Sequence, residues 1–146
     1  MIPSLDNKIK ALTEAEKGFE NLVIKTSKQF EAAILDLNTH EQLFLKGVDS
    51  QGQTIVPQYS RTTVQYKRAK RQPFNRVTLQ DTGDFHLSFQ VRFGKKDFAI
   101  YATDPKTNKL ERKYGKDITG LTDKSSRELA ELMRDDFTDE LRKIIV

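Results

Sequence analysis

The stretch Arg76–Gly94, RVTLQDTGDFHLSFQVRFG, decides how the chain is built. Its apolar residues fall at every second position: Val77 and Leu79, then Phe85, Leu87, Phe89, Val91 and Phe93. Thr78, Gln80, His86, Ser88, Gln90 and Arg92 between them are polar. Alternation at period two is the pattern of a strand with one buried and one solvated face. Between the two runs, Asp81-Thr82-Gly83 reads as a tight turn. Asp81 caps it and Gly83 supplies a positive φ. Gly94-Lys95-Lys96 then turns the chain into DFAIYATD, a third strand, and Asp104-Pro105 opens a loop through KTNK. The expectation is an antiparallel β-meander with one wet face.

Upstream the period changes to that of a helix. Leu5, Ile9, Leu12, Phe19, Val23, Phe30, Ala33 and Leu37 follow steps of three and four, with Glu16 and Thr26 at two positions of the stripe. Ser4 or Asp6 can cap its start. Such a helix is on the order of 50 Å long at 1.5 Å per residue, longer than a small globule needs. It either lies along neighbouring subunits, covers the chain's own sheet, or breaks near Gly18, where glycine costs about 1 kcal/mol relative to alanine. Thr39 and Gln42 have capping-box spacing for one more turn. VDSQGQTIVPQYS is a turn-rich connection that lacks the ligands of a calcium loop. Ser60 can cap a short helix bearing Lys67, Arg68, Lys70 and Arg71, which Pro73 ends.

At the other end, Leu129, Leu132, Met133, Phe137, Leu141, Ile144 and Ile145 form one apolar helical face. Ser125 and Glu128 have capping-box spacing, with Thr122 a competing cap one turn earlier. The layout is α+β: a long N-terminal helix, an antiparallel β-meander, and a C-terminal amphipathic helix packed on the sheet. One domain, 1–146, divides into a helical arm (1–46), an irregular basic linker (47–75), and a sheet plus terminal helix (76–146).

Composition narrows the chemistry. With no cysteine, disulfides and thiolate ligands or nucleophiles are excluded. His40 and His86 show no metal-ligand spacing, so neither a metal nor a cofactor is expected. Apolar runs such as Leu43-Phe44-Leu45 are too short to cross a bilayer, and MIPSLDNKIK lacks the apolar centre of a secretory signal. The net charge of +4 is unevenly spread: Arg61–Arg71 holds five Lys/Arg and no acid, whereas acids outnumber bases between Glu128 and Glu140. That asymmetry suits contact with nucleic acid, pairing between neighbouring copies, or a solvated charged face.

Asp-Thr-Gly is also the catalytic triplet of aspartic proteases. That chemistry needs two carboxylates about 3 Å apart sharing a proton in a dry site. Gln80 and Asp84 flank the triplet here, and no later apolar-apolar-Gly stretch braces it. Asp81, Thr82 and Gly83 are therefore read as a structural turn, and no enzyme is expected.

The order VTLQDTGDFHLSF, then YGKDITGLTDKSSRELAELM, resembles the phage virion-morphogenesis (tail-completion) family, and the earlier EQLFLKGVDSQGQTIVPQYSRTTVQYKRAKRQPFNRVTL resembles the pattern of related Bacteroidetes phage and prophage proteins. The matching residues are Leu79, Asp81, Thr82, Gly83, Phe85 (in place of that family's usual Leu) and Ser88, then Ile118, Gly120, Leu121 and Thr122. The resemblance runs from about Glu41 to Val146. RKYGKDI stands where that family has a Pro-Ala-Arg-Pro-type lead. It implies a non-enzymatic virion protein of the neck or tail, assembled in the bacterial host cytoplasm. Such proteins form rings, on the order of six or twelve copies under closed symmetry, beside portal, adjacent connector or tail proteins.

On that reading Phe19, Val23, Phe30, Ile118 and Leu121 are candidate interface residues. Lys67, Arg68, Lys70 and Arg71 either face DNA in the lumen without reading sequence or pair with Asp135, Asp136, Asp139 and Glu140 of a neighbour. The alternative is a nucleic-acid-binding module on 61–71, with Tyr59 and Tyr66 as stacking residues. No membrane contact is expected.

Overall fold

A computed structural model describes residues 4–145, so the extreme ends of the expected arm and terminal segment, 1–3 and 146, lie outside the described residues. The fold is α+β. Helix α1, Leu5–Gln29, starts at Ser4, whose hydroxyl accepts a hydrogen bond from the Asn7 amide at 3.2 Å. It runs through Gly18 unbroken. The interruption comes at Phe30, where φ −106° and ψ 20° leave the helical region before α2, Glu31–Asp36. A π-helix then continues from Leu37 to Lys46 and stops at Gly47, which is left-handed at φ 62°.

Gly47 is required there. A Cβ on it would sit 2.9 Å from the Arg76 Cβ, too close without a shift, and 3.2 Å from the Val77 carbonyl oxygen, a tight contact. We expect Gly47→Ala to cost roughly 1–3 kcal/mol from the left-handed conformation alone, before the clash is counted. Urea midpoints of the two chains measure the difference.

Helix α3, Arg61–Ala69, follows the irregular connection and is capped by Ser60, which accepts from the Thr63 amide at 3.2 Å. A single turn, α4 (Asp84–Leu87), begins directly after Gly83. The sheet is the antiparallel pair β1, Phe89–Phe93, and β2, Phe98–Ala102. Its register sets Phe89 opposite Ala102, Val91 opposite Ile100 and Phe93 opposite Phe98, which gathers the apolar residues on one face. On the other face the Tyr101 hydroxyl donates to Gln90 and Arg92 lies over the Tyr101 ring.

Three expectations are corrected. First, Val77–Gln80 is not a strand. Side chains take its backbone groups before any ladder can form. The Tyr59 hydroxyl accepts from the amides of Thr78 and Leu79, His86 bonds the Thr78 carbonyl, and Lys67 donates to the Gln80 carbonyl at 2.6 Å. Leu79 itself is left-handed, at φ 57°. The meander is therefore a two-stranded hairpin.

Second, the strand expected from Phe85 starts only at Phe89, because α4 takes Leu87 off the apolar face and leaves it 84% exposed. Third, the expected loop after Pro105 is largely helix: α5 spans Thr107–Tyr114, and a 3₁₀ turn, Lys116–Ile118, follows it.

Helix α6, Asp123–Ile145, completes the chain. Thr122 wins the competition for its cap, accepting from the Ser125 amide at 3.0 Å. Leu129 and Met133 enter one core with Ile34, Leu43, Ile55, Val77, Phe89, Ile100 and Ile118. Further along, α6 packs on α1, with Phe137 edge-on to Phe19 and Glu140 paired to Lys25 at 3.1 Å. The core thus draws on helix, linker and sheet together. Among the described residues no helix is long and apolar enough to cross a membrane.

The segment between α5 and α6 is anchored by two carboxamides. Asn38 and Gln42, four residues apart on the π-helix, are both buried. Asn38 accepts from the Gly120 amide at 2.8 Å and donates to the Ile118 carbonyl at 3.3 Å. Gln42 donates to the Gly120 carbonyl at 2.8 Å and accepts from the Thr122 amide at 2.9 Å.

Candidate functional site

The basic segment and the Asp-Thr-Gly turn meet. Tyr66, Lys67 and Lys70 leave α3 on the side that faces residues 80–82. The Lys70 ammonium donates to the Asp81 carboxylate at 3.0 Å and to the Tyr66 hydroxyl at 2.8 Å, and the Tyr66 hydroxyl donates to the same carboxylate at 3.2 Å. Gln72 closes the clamp by donating to the Asp81 carbonyl at 2.7 Å. Gly83, at φ 94°, lets the chain leave the turn straight into α4.

This geometry fixes the charge states. The hydrogen bond from Lys70 holds the Asp81 carboxyl below the usual carboxylate range, and the bonds to the Tyr66 hydroxyl and then to Asp81 raise Lys70. A shared-proton acid dyad needs the opposite, a carboxyl pushed upward. Among the described residues no group of three or more His, Cys, Asp or Glu is placed to hold a metal ion.

His86 is the pH-sensitive member of the site. Burial lowers its pKa, against the pull of the hydrogen bond to the Thr78 carbonyl at 2.8 Å. A carbonyl only accepts, so Nε2 carries the proton. A histidine whose folded pKa lies below its unfolded value of about 6.5 binds protons more readily when unfolded. Stability is therefore lost as pH falls from about 6.5 toward the folded value. His86→Gln, which can still donate to Thr78, should flatten that part of the curve. Denaturant midpoints at about pH 7.5 and pH 5.5 measure it.

Beside the clamp lies an open cavity of about 440 Å³. Leu79, Phe85, Leu110 and Tyr114 form its apolar wall, with Tyr59 and Tyr66 at one side. Lys106, Lys109 and Lys113 stand on its other edge, exposed, at positions i, i+3 and i+7 of one helical side. Sequence reading missed these three by taking the segment as loop. The signal was present in the matching spacing of Leu110 and Tyr114, four apart beneath the lysines.

The candidate residues named from sequence separate. Lys67 is only 4% exposed and bonded to Gln80, so it is unavailable to DNA or to a neighbour. Lys70 is committed to Asp81. Arg68, over the Phe74 ring at 4.4 Å, and Arg71 are exposed.

Ile118 is fully buried in the chain's own core, which corrects its reading as a plug for a neighbour's groove, and Leu121 is half-buried beside it. The reason is the carboxamide clamp, which draws this segment inward. Val23 and Phe30 are half-buried, whereas Phe19 is 52% exposed. Glu140 pairs with Lys25 and Lys143 on its own chain, while Asp135, Asp136 and Asp139 have no ion pair among the described residues.

No protein-family model, no curated protein and no solved structure matches the chain.

Proposed function

We propose that the chain is a non-enzymatic structural subunit of a phage head–tail junction. Copies form a ring that joins portal and tail and lets DNA pass. The observation that carries the self-assembly part of this reading is the free half of α1. Every residue from Ser4 to Phe19 is exposed, and Leu5, Ile9 and Leu12 are 72%, 53% and 72% exposed. Helices in proteins are held chiefly by packing of an apolar face. A leucine–isoleucine stripe left exposed ahead of the Phe19–Phe137 contact is built to be covered by another copy.

The placement in a virion neck rests on the resemblance of residues 79–88 and 118–122 to the tail-completion family. The alternative, a nucleic-acid module on 61–71, has less support, because Lys67 is buried on the Gln80 carbonyl and Lys70, on the surface, is paired with Asp81. Arg68 and Arg71 remain for phosphate contact. The test is quantitative mass spectrometry of purified particles of the virus that encodes the chain, normalised to portal. A ratio of about one-half or one, as cyclic rings on a twelve-fold portal give, supports the proposal. Absence from the particle removes it.

A further inference from the structure

We propose that the acidic face of α6 around Leu132 docks into the cavity between α3 and α5 of a second copy of the chain. This rests on the self-assembling reading above and names the contact that closes the assembly. The donor surface is a leucine among carboxylates. Leu132 is 55% exposed, with Glu128 one turn before it and Asp135 and Asp136 one turn after it, all exposed. Among the described residues none of these three acids has an ion pair.

The acceptor is the inverse arrangement. Leu79, Phe85 and Leu110 wall an apolar cavity of about 440 Å³, with Lys106, Lys109 and Lys113 along its edge. Those lysines likewise lack an acidic partner among the described residues.

The spacings agree. Lys106 to Lys113 and Glu128 to Asp135 are each seven residues on a helix, about 10 Å at 1.5 Å per residue. Two helices laid side by side can therefore pair charges at both ends while the central leucine enters the apolar wall. Desolvated apolar contact inside a charged rim is how specific interfaces are organised. The two patches are different surfaces of one chain, so the contact is head-to-tail and generates a closed ring or an open filament. Duplex DNA would satisfy the lysines but leave the apolar wall uncovered, which is why a protein face fits better.

The chain has no cysteine, so a reporter pair is clean. Lys109→Cys and Glu131→Cys chains, one carrying a mass tag, are mixed and oxidised, which leaves Leu132 and the three acids in place. Both positions are exposed, so both chains should fold. We expect the mixed disulfide in several-fold excess over either homodimer. The excess should disappear when Asp135→Lys and Asp136→Lys are added to the Glu131→Cys chain, and shrink in about 1 M salt, where the screening length is about 3 Å. A statistical mixture of the three disulfides overturns the contact. If the unmodified chain then retains duplex DNA, the cavity passes to phosphate. Particle copy number is blind to this contact, so either result can fail while the other stands.

Discussion

Asn38→Leu is expected to lower the unfolding free energy by about 2–6 kcal/mol, and Gln42→Leu toward the lower end of that range because its partners are part-buried, since each change strands two polar groups at about 1–3 kcal/mol apiece. Leucine has nearly the same bulk as either residue but neither donor nor acceptor. Asn38→Leu strands the Gly120 amide and the Ile118 carbonyl, and Gln42→Leu strands the Gly120 carbonyl and the Thr122 amide.

Among the described residues, no buried side-chain nitrogen or oxygen lacks a partner, so the native network has no slack. The same segment seats Ile118 in the core and positions Thr122 to cap α6. The damage therefore spreads from hydrogen bonds to packing. Against a typical total of about 5–15 kcal/mol for a folded domain, either change removes a large share. A fall in the melting temperature on the order of 10 °C is expected. The double variant should lose less than the sum, because both carboxamides hold one short segment. An unchanged melting temperature in both single variants would show that water replaces the carboxamides and that this clamp does not anchor the segment.

This clamp also marks where sequence reading stops. The alternation at 89–93 and 98–102 was legible because both runs have one solvated face, so polarity and geometry agree. Val77 and Leu79 carry the same alternation, yet they form no strand. The backbone groups of Thr78, Leu79 and Gln80 are taken by Tyr59, Lys67 and His86, side chains that no local period announces. Asn38 and Gln42 were invisible for a related reason. Buried carboxamides look like ordinary helix-surface polarity until the backbone they hold, some eighty residues later, is in place. Lys67 is the same case in the candidate site: one lysine in a basic run is indistinguishable from its neighbours until one is buried on a carbonyl. Thr26, the gap in the apolar stripe of α1, is fully buried because its hydroxyl donates to the Leu22 carbonyl at 2.9 Å and needs no outside partner. The helical arm itself was legible, since a stripe needs only spacing. What a stripe does not reveal is where the chain's own packing against it ends.

That limit falls near Phe19, and it sets up the second large effect. Leu5→Ser, Ile9→Ser and Leu12→Ser in one chain should abolish self-association while leaving the unfolding midpoint of the rest of the molecule in place. None of the three touches the core, so the body has nothing to lose. If a neighbour covers the stripe, each side chain contributes about 1.5–3 kcal/mol on burial, or about 4.5–9 kcal/mol together. At 1.4 kcal/mol per tenfold, even the lower figure is roughly a thousandfold in the association constant. The exposed stretch 4–19 carries equal numbers of acids and bases, Asp6, Glu14 and Glu16 against Lys8, Lys10 and Lys17. Charge alone therefore neither drives nor forbids its pairing, and the apolar stripe decides. Sedimentation over a concentration series reads the assembly, and far-ultraviolet circular dichroism reads the arm, whose helicity should fall with its partner removed. Unimpaired assembly of the triple variant, or a parent chain that stays monomeric at every concentration reached, would mean that the exposed half of α1 is not where copies meet.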